Sequence, residues 1–347
     1  TRFWPISRRR TPKHLLNVLG ENSLLQETFY RLEGIVPPER IVVVTNRQQK
    51  AQICDHLPRL SEENLILEPS PKNTAPCIAL AAFHILRRDP EAVLVILPSD
   101  HLIVGKEKFQ EAVKLAAEVA QTYDGLVTFG ITPNRPETGY GYIQIEKRPS
   151  SVSLPLGVYP VKTFAEKPNL ETAKRFLEAG DFYWNSGIFV WTVKKFLKEL
   201  EEHQPEIHHH LQSAFRHQEK ASLQRALISR WGRIRPISVD YGIMEMTRSP
   251  IFMVKGEFQW DDLGSWDAIY RLKATREGEN VLEGNVIAYQ SHSSLVYSQN
   301  HLVALVGMEG VLVVHTPDAT LVCTLNRAQE IKQIVERLQR ENRHRHL

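Results

Sequence analysis

The sequence has few cysteines and no long hydrophobic run. Both absences narrow the range of protein classes to which the chain could belong. Cys54, Cys77 and Cys323 lie far apart without a CxxC pair, so neither a disulfide framework nor a zinc site is expected. We therefore expect reduced thiols and a cytoplasmic location. The longest apolar stretch, Cys77 to Leu86, is interrupted by His84 and is far shorter than the roughly 20 residues of a membrane span.

A strong excess of one charge is also absent. The formal net charge is +3 over 347 residues, and the only tight basic run is Arg8–Arg10. Nucleic-acid binding through a basic stripe with interleaved aromatics is therefore not expected. Because a GxSxG elbow and an activated Cys–His signature are also missing, covalent nucleophilic catalysis has no candidate residue. The chain length predicts one large domain and a smaller one.

The first two-thirds of the chain alternates strand patterns with helical ones. Short apolar runs occur at Ile41–Thr45, Val93–Leu97 and Leu126–Ile131, as in strands that are buried on both faces. Between the last two runs, Lys106–Tyr123 has apolar residues at helical spacing. This pattern predicts an α/β fold with a doubly wound, mostly parallel, Rossmann-like sheet, whose ligands bind at the carboxyl ends of the strands.

The last part of the chain has a different pattern. From about Val281, short alternating runs are separated by Gly, Ser, Asn and Asp, which predicts a small β-rich domain. Charged and turn residues at Thr275–Asn280 suggest the boundary, so we predict domains over residues 1–275 and 281–347. The alternative is a generic β appendage that packs on the main domain and has no role of its own.

Two acidic motifs are candidates for a metal site. Asp100, in the segment PSDH, follows a buried strand and should project from its carboxyl end. Magnesium prefers carboxylate oxygens and commonly takes one or two of them together with substrate phosphates. The segment WDDLG supplies Asp261 and Asp262, either of which could be the second ligand. A helix cap or turn aspartate is the structural alternative for Asp100.

Two further segments of the predicted large domain supply cationic residues. Lys13 follows Pro12 in the basic segment RFWPISRRRTPK, and such side chains offer charge-assisted donors to phosphate oxygens. In FAEKP, Glu166 and Lys167 follow a strand, so we expect their side chains to point to opposite faces. A solvated surface pair is the alternative interpretation of that dipeptide.

Further polar segments could bind a ligand or only shape the chain. The segment EPSPKNTAP leads into a helix, where Asn73 or Thr74 could serve purely as caps. The two glycines of TGYGYI allow close backbone approach or form a simple β-turn. Asn185 is a candidate partner for a hydroxyl group, whereas Asp240 and Glu245 have no role that the sequence defines.

Four histidines, His203 and His208–His210, suggest a metal site at first sight. Consecutive residues on a helix point in different directions, because only residues three or four apart share a face. We therefore expect a solvated helical surface here.

Taken together, the motifs Arg2–Lys13, Glu68–Pro76, Pro98–His101, Phe164–Pro168 and Trp260–Gly264 resemble the sugar-phosphate nucleotidyltransferase family, and within it the guanylyltransferases that act on mannose 1-phosphate. The resemblance extends from Thr1 to about Leu338. The family opens with a strand and a glycine-rich loop, GGxGxR, and this sequence begins near the end of that motif.

The resemblance implies magnesium-dependent transfer of GMP from GTP to mannose 1-phosphate, giving GDP-mannose and pyrophosphate. It implies catalytic roles for Arg2, Lys13, Asp100 and Asp262, with the two aspartates holding Mg²⁺. It assigns nucleotide binding to Glu68, Lys72, Asn73, Thr74 and Ser99. It assigns sugar-phosphate binding to Gly139, Tyr140, Gly141, Glu166, Lys167 and Asn185.

For the C-terminal domain the resemblance implies a short left-handed β-helix that forms a homodimer, followed by a helix over Ala328–Arg340. Two alternatives to this function remain open. The first is a nucleotidyltransferase for another sugar 1-phosphate. The second is a non-catalytic regulatory relative that has kept the fold.

Overall fold

The computed structural model of the chain describes residues 2–147, 153–217 and 219–347. Residue 1, where the predicted catalytic domain begins, lies outside this description. The chain forms two compact units that are discontinuous in sequence. Unit 1 comprises residues 1–30, 99–102 and 261–347, and unit 2 comprises residues 31–98 and 103–260. This division does not test the linear domain boundary between residues 275 and 281, which stays a prediction.

The α-helices are α1 (Leu24–Tyr30), α2 (Lys50–His56), α3 (Thr74–Leu86), α4 (Lys106–Thr122), α5 (Leu170–Ala179), α6 (Val193–His203), α7 (Pro205–Phe215), α8 (Lys220–Trp231), α9 (Trp266–Lys273) and α10 (Ile331–Arg340). The strands are β1 (Val43–Asn46), β2 (Leu65–Glu68), β3 (Val93–Ile96), β4 (Leu102–Val104), β5 (Leu126–Ile131), β6 (Gly141–Ile145), β7 (Val158–Glu166), β8 (Phe182–Thr192), β9 (Ile251–Gly256), β10 (Gln259–Asp261), β11 (Val281–Tyr289), β12 (Leu295–Val306), β13 (Val311–Thr316) and β14 (Ala319–Thr324).

Unit 2 is built on a mixed six-stranded sheet in the order β3-β8-β5-β9-β7-β6. Strands β5 and β9 are parallel, whereas β8 runs antiparallel to both β3 and β5. Strands β1 and β2 form a separate parallel pair. The α/β class is confirmed, but the sheet is less parallel than the sequence pattern suggested. Strands buried on both faces have continuous apolar runs whichever way their neighbours run, so such runs do not define direction.

Two large hydrophobic cores pack against the sheet of unit 2 among the described residues. One packs the apolar residues of α3, α6 and α7 together with Leu94, Phe189 and Trp191. The other packs α4 with alternate residues of the strands, including Val127 and Val190. The apolar positions predicted for the helix Lys106–Tyr123 are buried in this second core, so the helix lies where its periodicity indicated.

Unit 1 contains a four-stranded sheet in the order β11-β12-β13-β14. Strands β11, β12 and β13 are parallel neighbours and β14 is antiparallel. The chain bends at Gly284, which has a φ of 86°, and a side chain there would overlap the carbonyl of Ser298. Apolar residues of this sheet pack with Phe3, Trp266 and helix α10 in one core. The predicted β-rich C-terminal region is therefore confirmed.

Helix α5 is marked in the sequence by an asparagine just before its first residue and a glycine just after its last. The Asn169 side chain accepts a hydrogen bond from Thr172 N at the start of α5, and Gly180 adopts a left-handed conformation (φ 65°) at its end.

In the part of the chain that the structure describes, no helix is both long enough and apolar enough to cross a membrane.

Candidate functional site

The predicted metal ligands of unit 1 meet around one ammonium group. Lys13 Nζ lies 3.0 Å from Asp100 Oδ2, and it also donates a hydrogen bond to the main-chain oxygen of Asp262. Arg2 Nη1 lies 3.8 Å from Asp262 Oδ2. Residues that are far apart in the sequence thus form one cluster of two cations and two carboxylates. Ser99, which precedes Asp100 in the chain, belongs to the same unit.

The electrostatics of this cluster favour an ionised Asp100. Burial acts to raise the pKa of Asp100, but the charges of Lys13 and His101 outweigh it, so the pKa is lowered from its ordinary value. The side chain of Asp100 is still 35% exposed, and that of Asp262 is 22% exposed. An ionised carboxylate that is open to solvent is suited to bind a divalent cation.

The two aspartates of WDDLG have different surroundings. Asp261 is 5% exposed, accepts a hydrogen bond from Leu263 N at 2.8 Å, and lies 3.5 Å from Arg271 Nη2. Leu263 itself is buried and has a positive φ of 49°, an uncommon conformation for a branched residue. Asp261 therefore holds the turn together, and Asp262 faces the cations.

A glycine makes room for Arg2 beside Asp262. A Cβ atom at Gly264 would lie 2.9 Å from Arg2 Nη1 and 3.0 Å from Asp262 Oδ1. The guanidinium also lies 3.4 Å from the carbonyl oxygen of Gly264. Any larger residue at this position would therefore push the arginine away from the carboxylate.

In unit 2, the predicted nucleotide-binding segment is tied to a second segment by hydrogen bonds. Ile237 N donates to Lys72 O at 3.2 Å, and Val239 N donates to Thr74 Oγ1 at 2.8 Å. Asn73 is the cap of α3 and has a positive φ of 71°. The capping interpretation of this segment is therefore confirmed for Asn73, and the hydroxyl of Thr74 has a structural partner.

Glu68 lies at the carboxyl end of β2, and one oxygen atom of its carboxyl group is buried. Among the described residues, Glu68 Oε2 is buried without a hydrogen-bond partner. Burial raises the pKa of Glu68 to about 7. A buried acceptor that lacks a donor is costly unless a ligand supplies one.

Three of the predicted sugar-phosphate residues converge at one point of unit 2. A Cβ atom at Gly141 would lie 2.5 Å from Glu166 Oε2 and 3.7 Å from Asn185 Nδ2. Glycine at this position therefore allows the carboxylate and the amide to approach the same backbone. The Glu166 carboxylate and the Asn185 amide thus place a hydrogen-bond acceptor and a hydrogen-bond donor side by side.

Glu166 and Lys167 do not point to opposite faces, so that part of the sequence interpretation was wrong. Lys167 Nζ lies 2.7 Å from Glu166 Oε1, because Lys167 adopts a left-handed conformation with a φ of 47°. This bend breaks the alternation of an extended chain. Both charged side chains consequently lie on one side of the strand end.

The neighbouring loop residue Tyr140 is largely structural. It is 7% exposed and packs edge to face against Trp184 and Trp260, at centroid distances of 5.2 and 5.0 Å. Its carbonyl oxygen accepts a hydrogen bond from Lys167 N at 3.2 Å. Gly139 N donates to Glu137 Oε1 at 3.1 Å, so its backbone is held in place.

Sequence reasoning gave no role to Asp240, yet the structure places it at this point. Asn185 Nδ2 donates to Asp240 Oδ1 at 3.0 Å. Burial raises the pKa of Asp240, and the charge of Glu166 raises it further. The partner lies 55 residues away in the sequence, so no local signal could have identified this pair.

The four histidines lie on two consecutive helices, with His203 on α6 and His208–His210 on α7. Among the described residues, no group of three or more His, Cys, Asp or Glu side chains could hold a metal ion. His208 is 8% exposed and packs on Phe83, so the expectation of a fully solvated surface was wrong for this residue. His203 Nε2 lies 3.4 Å from Glu199 Oε2, one turn earlier in the helix.

Comparison with known proteins gives consistent matches over nearly all of the chain. A family model described as nucleotidyl transferase matches residues 1–279, and one described as a mannose-phosphate isomerase/GMP-like β-helix domain matches residues 284–338. The mannose-1-phosphate guanylyltransferase of Escherichia coli K12 is 37% identical over 351 residues, which is 100% of this chain and 73% of that protein.

Two further comparisons agree. The mannose-1-phosphate guanylyltransferase of Salmonella typhimurium is 36% identical over 355 residues, which is 100% of this chain and 72% of that protein. The crystal structure of a Thermus thermophilus protein, described as mannose-1-phosphate geranyltransferase, superposes with a TM-score of 0.88 at 31% identity. That match covers 97% of this chain and 96% of that one.

Proposed function

Because the chain belongs to the nucleotidyl transferase family, we infer that it is an enzyme that transfers GMP from GTP to mannose 1-phosphate, releasing pyrophosphate and GDP-mannose. The observation that carries this inference is the convergence of Asp100 and Asp262 on Lys13. Nucleotidyl transfer must bring two anions together, so their mutual repulsion is the main barrier. A cluster of carboxylates and cations is the arrangement that such a reaction needs.

We propose Mg²⁺ as the cofactor, held by Asp100 and Asp262. Both side chains offer oxygen atoms, and Lys13 already places a positive charge beside the Asp100 carboxylate and the main-chain oxygen of Asp262. When bound, the ion would neutralise phosphate charge at the reacting centre.

The cationic side chains supply the rest of the charge neutralisation. In the proposed mechanism, Arg2 and Lys13 stabilise the leaving pyrophosphate, and Lys167 holds the phosphate of mannose 1-phosphate. An oxygen of that phosphate attacks the α-phosphorus of GTP in line, and the bond to pyrophosphate breaks. Positioning and charge neutralisation supply most of the rate enhancement.

Glu68 is the best candidate to recognise the guanine base of GTP by hydrogen bonding. Guanine presents two neighbouring N–H donors on its Watson–Crick edge, and a carboxylate can accept from both. The buried Glu68 oxygen, which lacks a donor within the described residues, supports this assignment. Adenine, which offers an acceptor at the equivalent ring nitrogen, would be disfavoured.

The sugar is bound by Glu166, Asn185 and the backbone at Gly141, which lie together in unit 2. A carboxylate accepts hydrogen bonds from hydroxyl groups and an amide can donate to them, so the pair suits a sugar. Pyrophosphate release should be measured across a panel of nucleotides and sugar 1-phosphates. The highest kcat/KM for GTP with mannose 1-phosphate would support the proposal, and a preference for another pair would reject it.

We also propose that the protein is a homodimer that associates through the sheet of unit 1. Tyr289 and Val306 are register partners on β11 and β12, and they are 61% and 66% exposed. With Ile287 and Leu302, both 57% exposed, they form an apolar surface that water disfavours. Sedimentation should give a dimer that Val306→Glu dissociates; a monomeric wild type would contradict this proposal.

A further inference from the structure

Asp240 lies in an unusual piece of backbone. It begins a π-helical turn, Asp240–Met244, a conformation that is rare and is often found at functional sites. The segment just before it is anchored, because Val239 N donates to Thr74 Oγ1 at 2.8 Å. The backbone that carries the Asp240 carboxylate is thus held by the anchored segment before it and by the π-helical turn after it.

The Asn185 amide has only one orientation that satisfies its neighbours. Its Oδ1 accepts a hydrogen bond from Gly187 N at 3.1 Å, and its Nδ2 donates to Asp240 Oδ1 at 3.0 Å. Turning the amide over would place Nδ2 against an N–H donor and Oδ1 against a carboxylate. Since both contacts would then be repulsive, Gly187 and Asp240 together hold the amide in one state.

This orientation determines what Asn185 can offer a ligand. The amide oxygen is already used by Gly187 N, and one Nδ2 hydrogen is used by Asp240. The second Nδ2 hydrogen is the donor that remains for a ligand. It lies beside Glu166, since Nδ2 and Glu166 Oε2 flank the same side of Gly141. A sugar hydroxyl could donate to Glu166 and accept from Asn185.

We propose that Asp240 is a positioning residue for sugar binding: it holds the Asn185 amide with one N–H directed to a hydroxyl group of the sugar phosphate. The inference rests on the proposed function and names a residue that determines sugar affinity. Asp240 acts through Asn185 and does not take part in phosphoryl transfer.

The charges around this point are consistent with that role. Burial, followed by the charge of Glu166, raises the pKa of Asp240, whereas the hydrogen bond from Asn185 lowers it. The bond to Asn185 therefore favours the ionised form of Asp240, which is the stronger acceptor. Burial, Glu166 and Asp240 likewise raise the pKa of Glu245.

The test is a double-mutant cycle with Asp240→Asn and Asn185→Ala, assayed with GTP and mannose 1-phosphate. Asp240→Asn replaces the carboxylate with a neutral amide of the same shape, which can present either its oxygen or its NH2 group to Asn185. The Asn185 amide then keeps the bond from Gly187 N but loses its charged acceptor, so its orientation is held less firmly. The KM for mannose 1-phosphate should rise about tenfold, with kcat and the KM for GTP within about twofold of wild type. The double variant should be no worse than Asn185→Ala alone.

A matched control is available on the same sheet. Asp181 Oδ2 accepts a hydrogen bond from Gln144 Nε2 at 3.1 Å, which is also a carboxylate–amide pair. Asp181→Asn should leave the KM for mannose 1-phosphate unchanged. If Asp240→Asn does not fold, Asp240→Glu serves in the same cycle, because it keeps the acceptor but moves it.

Three results would overturn the inference. One is a normal KM for mannose 1-phosphate in the Asp240 variant, and another is an equal rise with Asp181→Asn. The third is multiplication of the two single effects in the double variant, which would mean that Asp240 acts independently of Asn185. A wild-type enzyme that is inactive with this substrate pair would overturn the proposed function itself, so the two failures are distinguishable.

Discussion

Lys13 and Asp100 form an ion pair with an Nζ–Oδ2 distance of 3.0 Å, and the same ammonium group contacts the main chain of Asp262. The lysine therefore occupies the position between the two residues proposed to bind Mg²⁺. A divalent cation and the Lys13 ammonium should compete for this position in the absence of nucleotide.

Replacement of Lys13 by methionine tests this competition. Removal of the cation leaves Asp100 without its nearest counter-charge, so the free protein should bind Mn²⁺ about tenfold more tightly. Titration calorimetry or the electron paramagnetic resonance of free Mn²⁺ would measure the affinity. Lys50→Met, which breaks the exposed pair between Lys50 and Glu62, is the matched control. Unchanged Mn²⁺ affinity in Lys13→Met would contradict the competition.

Alanine substitutions of the two adjacent aspartates of WDDLG should have different effects on thermal stability. Asp261→Ala removes the acceptor for Leu263 N in a buried turn, which should lower the free energy of unfolding by about 2 kcal/mol. The melting temperature should fall by about 3 °C. Asp262→Ala should leave the melting temperature close to that of wild type. Equal thermal stability of the two variants would show that the turn does not depend on Asp261.

The raised pKa of Glu68 predicts a pH dependence of stability. Between its ordinary pKa of about 4.3 and its folded pKa of about 7, the folded protein binds more protons than the unfolded chain. The free energy of unfolding therefore falls as the pH rises through this window. Glu68→Gln removes the effect and should be more stable than wild type at pH 8, by about 1 kcal/mol after solvent screening.

Thermal unfolding of both proteins at pH 4.5, 6 and 8 would check this sign. The advantage of Glu68→Gln should shrink as the pH is lowered and should be smallest at pH 4.5. An advantage that grows toward low pH would mean that the carboxylate stabilises the fold. If Glu68 also reads guanine, the same variant should have a higher KM for GTP.

Gly141→Ala tests the convergence of Glu166 and Asn185. The new Cβ atom would lie 2.5 Å from Glu166 Oε2, so the carboxylate must move. We expect the KM for mannose 1-phosphate to rise about tenfold, which corresponds to roughly 1.4 kcal/mol of overpacking. Gly20→Ala is the control, because its Cβ would have no neighbour within 4 Å. A normal KM in Gly141→Ala would place the sugar elsewhere.

Much of the local structure followed from the sequence. The cap at Asn169, the left-handed Gly180 and the amphipathic helix α4 depend on neighbouring residues only, so their signals are local. The repeated short runs of the C-terminal region likewise correspond to β11–β14. In each case the residue pattern within one segment was sufficient to predict the element.

Long-range features did not follow from the sequence. Strand β8 runs antiparallel between β3 and β5, and a continuous apolar run does not reveal that direction. The bond between Asp240 and Asn185 depends on how the chain folds back, so Asp240 had no assigned role. Such contacts are set by tertiary packing.

Backbone strain was also invisible in the sequence. Asn73, Lys167 and Leu263 are non-glycine residues with positive φ, and each lies in one of the motifs that suggested the function. This conformation costs on the order of 1 kcal/mol or more per residue, and it persists where the surrounding structure enforces it. In Lys167 it reversed the expected direction of the side chain.

The most direct test of the account is magnesium-dependent pyrophosphate release from GTP and mannose 1-phosphate by the wild type and by Asp262→Ala. We expect the wild type to form GDP-mannose and pyrophosphate in equal amounts. Asp262→Ala should lose this turnover while keeping its melting temperature. Near-normal turnover by Asp262→Ala, or no turnover of this pair by the wild type, would contradict the central claim.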